Sequence, residues 1–474
     1  MFIGNYFYYE LPESLPQLTT TSFYFVAFVF LTFVLCRILK CAIRPYAILA
    51  CSLFFLYSYG TKHIIAVVAV AALSFIAGLV LNKYKKWYVL ALSLLPFVGL
   101  LVYFKYFNYE SLGLVFPLGL SFYSFKVISY LVDIYKDEIE VEHNPIYYLD
   151  YVMFFPVITA GPIHRYENFR KEIREYKEFD YKDAKGGGFQ MVLGVYEKVV
   201  FCDFVASVVS RCLNNVELTG VNVLIGIVLY SFQIYLDFDA ISNISIGCSR
   251  LLGFNIEKNF NSPYLARTLK EFWSRWHISL STWLKDYIYI PLGGNRKGKI
   301  RRYINLFITF VVSGLWHGNT VNFLYWGIAH ALIQVVEDMI MSFFKDKVKN
   351  KIATAVISVI GVVINFAIVT LLWLIFKYEN MAEVSAVLTR LSASGSFDLE
   401  AIGMTVNELR WLIVVISVTV ILDVLRNNFD MIETFNSTFF VIRWLVYILM
   451  IVSFMIFGVY GGSFDASDFI YRWF

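Results

Sequence analysis

Stretches of mostly apolar residues long enough to span the hydrocarbon of a bilayer, about 20 residues each, recur along almost the whole chain. They lie near 22–39, 46–60, 64–82, 87–104, 113–134, 147–164, 187–212, 220–252, 303–317, 320–344, 352–376, 410–426 and 439–460. A soluble domain could neither bury so many runs nor cover them, because 59% of the residues are hydrophobic and only 16% are charged. Lipid must be the solvent for much of the surface. The pattern predicts an all-α integral membrane protein in which about eleven or twelve segments cross the bilayer, supplemented by interfacial or re-entrant helices.

Residues Met1 to Thr21 contain Glu10 and Glu13 but neither Lys nor Arg. The basic start of a cleaved secretory leader is therefore missing, and the first helix is expected to be retained. Arg37, Lys40 and Arg44 follow the first run, and Lys83, Lys85 and Lys86 follow two more. The positive-inside tendency puts both clusters in the cytoplasm and the N-terminus outside. The stretches 165–185 and 295–302 are both basic, and their sides stay open at this level. The net charge of +4 is spread over short loops, so topology accounts for it and no nucleic-acid surface is expected. Cys36, Cys41, Cys51, Cys202, Cys212 and Cys248 lie in or beside apolar runs without metal-ligand spacing. They read as packing residues, with no disulfide and no metal site expected.

No fixed-period repeat, low-complexity tract or soluble insertion interrupts the chain, so 1–474 reads as a single membrane domain. Its polar interruptions are the landmarks. Lys136 to Asn144 is short and acidic. Arg165 to Gly188 ends in Gly186-Gly187-Gly188 and reads as an amphipathic surface segment plus a hinge. Asn255 to Arg302 carries Glu271, Arg275, His277, Lys285 and Asp286 among Trp273, Trp276, Trp283, Tyr287 and Tyr289. Facing lipid, its Glu, Arg, Lys and Asp charges would cost on the order of 10 kcal/mol. The segment must therefore lie at the interface or re-enter inside protein, where irregular backbone is tolerated.

Histidine is scarce, at positions 63, 143, 164, 277, 317 and 330. His317 sits in Ser313-Gly314-Leu315-Trp316-His317-Gly318-Asn319, at the end of an apolar run, where flanking glycines could let a substrate chain approach the backbone. A neutral imidazole there can take a proton from a hydroxyl attacking a thioester, with Trp316, Asn319 or glycine N–H groups as oxyanion donors. The competing reading is an interhelical hydrogen-bond donor. His277 could equally anchor its tryptophan-rich segment, and His330 reads as packing. Asp237-Phe238-Asp239 could hold a divalent ion or pair with Arg250, and helix packing with charge pairing is the favoured reading. No phosphate loop, H-E-x-x-H zinc helix or G-x-S-x-G elbow occurs.

Several separated motifs together resemble one family. They are Pro117-Leu118-Gly119-Leu120-Ser121-Phe122-Tyr123 with Ser129-Tyr130-Leu131-Val132-Asp133, Ala160-Gly161-Pro162-Ile163, and Gln233-Ile234-Tyr235-Leu236-Asp237-Phe238. The densest runs from Glu271-Phe272-Trp273 through Arg275-Trp276-His277 and Ser281-Thr282-Trp283 to Tyr289-Ile290-Pro291-Leu292-Gly293-Gly294-Asn295-Arg296. Gly314-Leu315-Trp316-His317-Gly318 follows. The chain resembles the membrane-bound O-acyltransferases, in the bacterial branch that includes alginate O-acetyltransferase, with a motif core over 117–330.

That resemblance implies a central conduit joining the two membrane faces, with His317 as the family's catalytic histidine and His277 as its second motif histidine. Arg275, Trp276, Trp316 and Asn319 would shape the site. It implies a multi-pass protein of the bacterial cytoplasmic membrane, in contact with lipid and without a tightly bound cofactor. Acyl groups would pass from a cytoplasmic donor, acetyl-CoA, to an exported or cell-envelope polysaccharide. An extracellular or periplasmic esterase-like transferase is the implied partner. The end Phe469-Ile470-Tyr471-Arg472-Trp473-Phe474 is similar to an F-x-Y-x-x-F tail that presents a tyrosine as transient acyl carrier, making Tyr471 the relay candidate, against a plain interfacial aromatic anchor. One departure is Asp239-Ala240-Ile241-Ser242-Asn243, where the family usually has Ser-Gly and then Tyr-Ser-Asp; it bears on acceptor or partner specificity. D-alanyl transfer to teichoic acid from a carrier-protein thioester, a lipid-linked-sugar transporter and a noncatalytic scaffold are the alternatives.

Overall fold

The computed structural model describes residues 17–40, 42–175, 180–344 and 351–458, and no strand occurs among them. The helices are α1 (Phe23–Ile38), α2 (Arg44–Tyr57), α3 (Thr61–Lys83), α4 (Trp87–Tyr106), α5 (Leu120–Tyr135), α6 (Pro145–Met153), α7 (Phe155–Ile158), α8 (Tyr166–Arg174), α9 (Tyr181–Tyr196) and α10 (Asp203–Asn214). There follow α11 (Val221–Leu251), α12 (Leu269–Arg275), α13 (Ile278–Leu284), α14 (Gly298–His317), α15 (Val321–Phe344), α16 (Lys351–Lys377), α17 (Met381–Ser392), α18 (Val406–Asn428), α19 (Met431–Ser437) and α20 (Phe440–Phe457). Among the described residues, α3, α4, α11, α16 from Ile352, and α20 are long and apolar enough to cross a membrane, and α1 and α2 are shorter apolar helices. The all-α membrane architecture expected from the sequence is therefore present.

Two of the other apolar runs are realised as shorter pieces for local reasons. The run 113–134 becomes helical only at Leu120, because Gly119 takes φ +73° where a Cβ would collide with the Ile158 carbonyl. The run 147–164 is cut at Phe154, whose non-helical backbone (ψ +104°) separates α6 from α7, with Pro156 opening the next turn. The run 187–212 stays helical, with α9 passing into α10 through a π-helical turn at Glu197–Cys202.

Two compact units make up the chain, Met1–Met191 with Ile244–Ile256, and Val192–Asn243 with Glu257–Phe474. Within the first unit, α5 is buried on every side and α8 is the amphipathic segment foreseen, with Tyr166, Phe169 and Ile173 inward. The glycine run is not a hinge. Gly187 lies inside α9, and a Cβ there would come within 2.8 Å of the Gly247 carbonyl oxygen, so the glycines let α9 and the end of α11 touch backbone to backbone. Arg37 and Arg44 donate to the Leu251 and Leu252 carbonyls at that same helix end, placing cations where the helix dipole is negative.

Within the second unit, Trp276, Trp326 and Trp373 are fully buried in one apolar cluster. Beside it runs a buried ionic network. Lys198, on the π-helical turn, bridges Asp203 at 2.9 Å and Asp237 at 2.8 Å. Arg426 of α18 bridges Glu197 and Asp239, each at 2.5 Å, and Tyr235 donates to Asp423 at 2.6 Å. Charge pairing of the Asp237-Phe238-Asp239 motif is thus present, but its partners are Lys198 and Arg426. Arg250 instead pairs with Asp183 at 2.7 Å, since residue 250 lies over three turns further along α11 and cannot reach back.

Candidate active site

The charged, tryptophan-rich segment folds by neutralising its own charges. Thr268 caps α12 by accepting the Glu271 N–H, and Glu271 pairs one turn away with Arg275 at 2.8 Å and with Arg267 at 3.2 Å. Phe272, Trp273 and Trp276 then turn inward, Trp276 stacking on Phe272 with ring centroids 5.5 Å apart and packing on Trp373 at 5.0 Å.

His277 joins α12 to α13 at φ +42°, a left-handed conformation uncommon for a residue with a Cβ. Asn259 holds it there. Its carbonyl accepts the Ile278 N–H at 2.9 Å, and its Oδ1 accepts the Ser279 N–H at 3.2 Å and the Ser279 hydroxyl at 2.8 Å. Its Nδ2 donates to Ser242 at 3.3 Å. These donors identify the oxygen, so the His277 Nδ1 lying 3.2 Å from it must carry the proton. Nε2 is left with its lone pair, buried and without a hydrogen-bond partner among the described residues. That is the tautomer a proton acceptor needs. Asn259 escaped the sequence reading because it lies eighteen residues from His277 in a plain Asn-Phe-Asn-Ser stretch; only the αL turn makes it a neighbour.

His317 ends α14 and is 3% exposed. Trp316, Trp326 and Phe376 surround its ring at 4.7, 5.0 and 5.2 Å between centroids. Trp316 also lies 6.5 Å from His277, so one indole neighbours both histidines. His330 accepts the Trp273 indole N–H at 3.2 Å amid Trp326 and Phe310, as a packing residue would. Arg275 is committed to Glu271 and to the Asn427 Oδ1 at 2.7 Å, Trp276 is core, and Asn319 is exposed in the loop after α14. Tyr471 lies outside the described residues.

The glycines around His317 serve helix packing and not substrate approach. A Cβ on Gly314 would lie 2.3 Å from the Phe323 carbonyl oxygen, and one on Gly327 2.4 Å from the Phe310 carbonyl oxygen. The α14–α15 hairpin therefore crosses at Gly314 and Gly327, backbone against backbone. Gly318 makes room for the Phe323 ring. Gly314→Val should splay the hairpin beside His317, lowering both the thermal midpoint in detergent and acyl transfer; an unchanged melting curve would contradict the crossing.

The same two helices and the α12–α13 segment line a cavity of about 640 Å³. Leu306, Phe310 and Ser313 of α14 line it at helical spacing, and the next residue on that face is His317, roughly 6 Å beyond Ser313. From α15 come Gln334, Glu337, Asp338 and Met341, a face that continues back to His330 and Trp326. Ile278, next to His277, also lines it. Lys270, Lys285 and Arg302 contribute cations. Of the two acids, Glu337 accepts the Leu269 N–H at the start of α12, and Asp338 is taken by Arg302 and the Tyr303 hydroxyl. Arg296, Lys297, Lys299 and Arg301 stand exposed just before Arg302.

The sequence model of the membrane-bound O-acyltransferase family matches residues 51–379. The chain belongs to this family. It is 33% identical over 340 residues to the probable alginate O-acetylase AlgI of Pseudomonas syringae pv. tomato, covering 68% of this chain and 64% of the relative. It is 30% identical over 382 residues to the peptidoglycan O-acetyltransferase of Helicobacter pylori, covering 71% of each. A teichoic acid D-alanyltransferase of Bacillus subtilis matches at 28% over 235 residues, 47% of this chain and 58% of that one. The chain thus spans just under two thirds, 64%, of the Pseudomonas relative's length. The histidine, glycine and cavity residues described above all lie inside the region matched to the O-acyltransferase family.

Proposed function

We propose that this protein is an O-acetyltransferase of the bacterial cytoplasmic membrane, moving acetyl groups from a cytoplasmic thioester onto hydroxyls destined for a cell-envelope or exported polysaccharide. One observation carries the reading: a cavity with a basic surround follows a single face of α14 whose next member is the buried His317. Cations suit the phosphates of coenzyme A or of a carrier-borne phosphopantetheine, and in this proposal the Lys- and Arg-rich loop lies on the cytoplasmic side, where such a donor is found.

In the proposed reaction a hydroxyl oxygen attacks the thioester carbonyl while His317 takes its proton. The C–S bond breaks, and the proton returns to the leaving thiolate. A hydroxyl is too weak an acid to ionise first, so the base must act during attack. His277, with Nε2 unprotonated, shares Trp316 with His317 and accepts a hydrogen bond from the reacting hydroxyl or from water. Tyr471 receives the acyl group as a relay before it passes to an esterase-like partner outside the membrane.

The test is the O-acetyl content of surface and secreted polysaccharide in cells carrying wild-type protein or His317→Ala at equal membrane abundance. Loss of acetylation with export intact is the expected result. Unchanged acetylation, or failed export, would overturn the assignment in favour of a transporter or scaffold. The likeness to a D-alanyltransferase supports one competing outcome, D-alanine esters in place of acetyl, which the same hydrolysate would reveal.

A further inference from the structure

Most polar side chains in the cavity wall are already committed to the protein. Thr268 accepts the Glu271 N–H, Thr282 and Thr309 donate to the Ile278 and Asn305 carbonyls, and the Tyr303 hydroxyl donates to Asp338. Two stand apart. Ser313 and Gln334 also line the cavity and are only 1% and 7% exposed, yet the Ser313 hydroxyl and the Gln334 Nε2 have no hydrogen-bond partner among the described residues. A buried polar group left unpaired is costly, so two in one cavity wall mark places where a ligand supplies the partner.

Their positions on the α14–α15 hairpin set the spacing such a ligand must have. Ser313 is one turn short of His317, about 6 Å along α14. The hairpin backbones meet at Gly314 and Gly327, and Gln334 lies two turns beyond Gly327 on α15. Gln334 is therefore on the far side of Ser313 from His317, roughly 10–15 Å further along the hairpin. The pantetheine arm carries amides at corresponding depths. At about 1.2 Å per bond of extended chain, the inner amide carbonyl, five bonds from the thioester carbonyl, lies about 6 Å from it, and the outer one, four bonds further, about 11 Å. An arm whose inner amide meets Ser313 thus brings its thioester carbonyl to His317, and its outer amide extends toward Gln334, whose long side chain covers the remaining distance.

We infer that Ser313 and Gln334 read the inner and outer amides of the donor's pantetheine arm. This rests on the thioester-transfer reading above and specifies its donor: an acyl group on pantetheine, from coenzyme A or a carrier protein, in preference to a plain alkyl thioester. The inner amide carbonyl accepts from the Ser313 hydroxyl and the outer one from the Gln334 Nε2. Both residues touch the arm and not the reacting atoms, so removing either weakens the donors that carry the matching amide and no others.

Membranes bearing wild type, Ser313→Ala, Gln334→Leu or Gln334→Met receive acetyl thioesters trimmed in steps. Acetyl-CoA, an acetylated phosphopantetheinyl carrier protein and S-acetylpantetheine have both amides, S-acetyl-N-acetylcysteamine has the inner one alone, and S-ethyl thioacetate has neither. Thiol release above the His317→Ala background gives kcat/KM for each; where a trimmed donor reacts too slowly to follow, its inhibition constant against acetyl-CoA is compared instead. Gln334→Leu and Gln334→Met should weaken the donors with both amides about tenfold and leave the two trimmed further as in wild type. Ser313→Ala should weaken every donor except the ethyl thioester. A role in helix packing alone would depress all donors in parallel. Parallel loss, or no loss, in variants with wild-type size-exclusion profiles overturns the assignment, and since the two residues sit on different helices, either decides if the other does not fold. If wild type releases no thiol from acetyl-CoA or from the carrier protein, it is the transfer reading that fails; otherwise those two donors show which source supplies the arm.

Discussion

Asn259→Leu is expected to reduce acyl transfer by about 10–100-fold, the range seen when a partner that orients a functional histidine is removed, and His277→Ala by about 10²–10⁴-fold. The physical reason is the tautomer. With Asn259 Oδ1 in place, the proton sits on Nδ1 and Nε2 keeps its lone pair; without it, the ring can turn or exchange tautomers and the αL turn loses its clamp on Ser279. Because both residues act through one imidazole nitrogen, the double variant should be no worse than His277→Ala alone. Initial rates of thioester consumption in membranes, normalised to protein abundance, measure the cycle. Additive losses would mean that Asn259 acts elsewhere.

Lys198→Met carries the largest expected effect on stability. The ammonium lies between Asp203 and Asp237, with all three side chains at most 6% exposed. Removing it leaves two carboxylates facing each other in the protein interior, a loss of about 3–5 kcal/mol. The thermal midpoint of the purified protein in detergent should fall accordingly, and Asp237→Asn added to Lys198→Met should recover part of it by removing one of the uncompensated charges. If Lys198→Met melts like wild type, the network is not holding this part of the second unit together.

Hydropathy alone determined that the chain lives in a membrane, since no other solvent accommodates runs such as 64–82 or 352–376. The cost of exposing charge to lipid likewise determined that 255–302 must fold inward, and that segment does pack its tryptophans into the core. His317 and His277 were legible because titratable groups are rare in so apolar a chain, and because the surrounding residues match a family pattern.

The tertiary structure decided which groups meet. Periodicity marks the face of a helix but not its neighbour, so Asp237 and Asp239 were legible as charges in need of partners, while Lys198 and Arg426 became those partners only through the π-helical turn and α18. The same holds for glycine, whose missing Cβ suits a hinge, a substrate path or a helix crossing equally. Only the opposing backbone at Gly187–Gly247 and Gly314–Gly327 selects the crossing. Asn259 reaches His277, and Trp273 reaches His330, because a left-handed turn and helix packing bring distant positions within hydrogen-bond range; contacts of that kind are set by packing in three dimensions, and no local pattern along the chain encodes them.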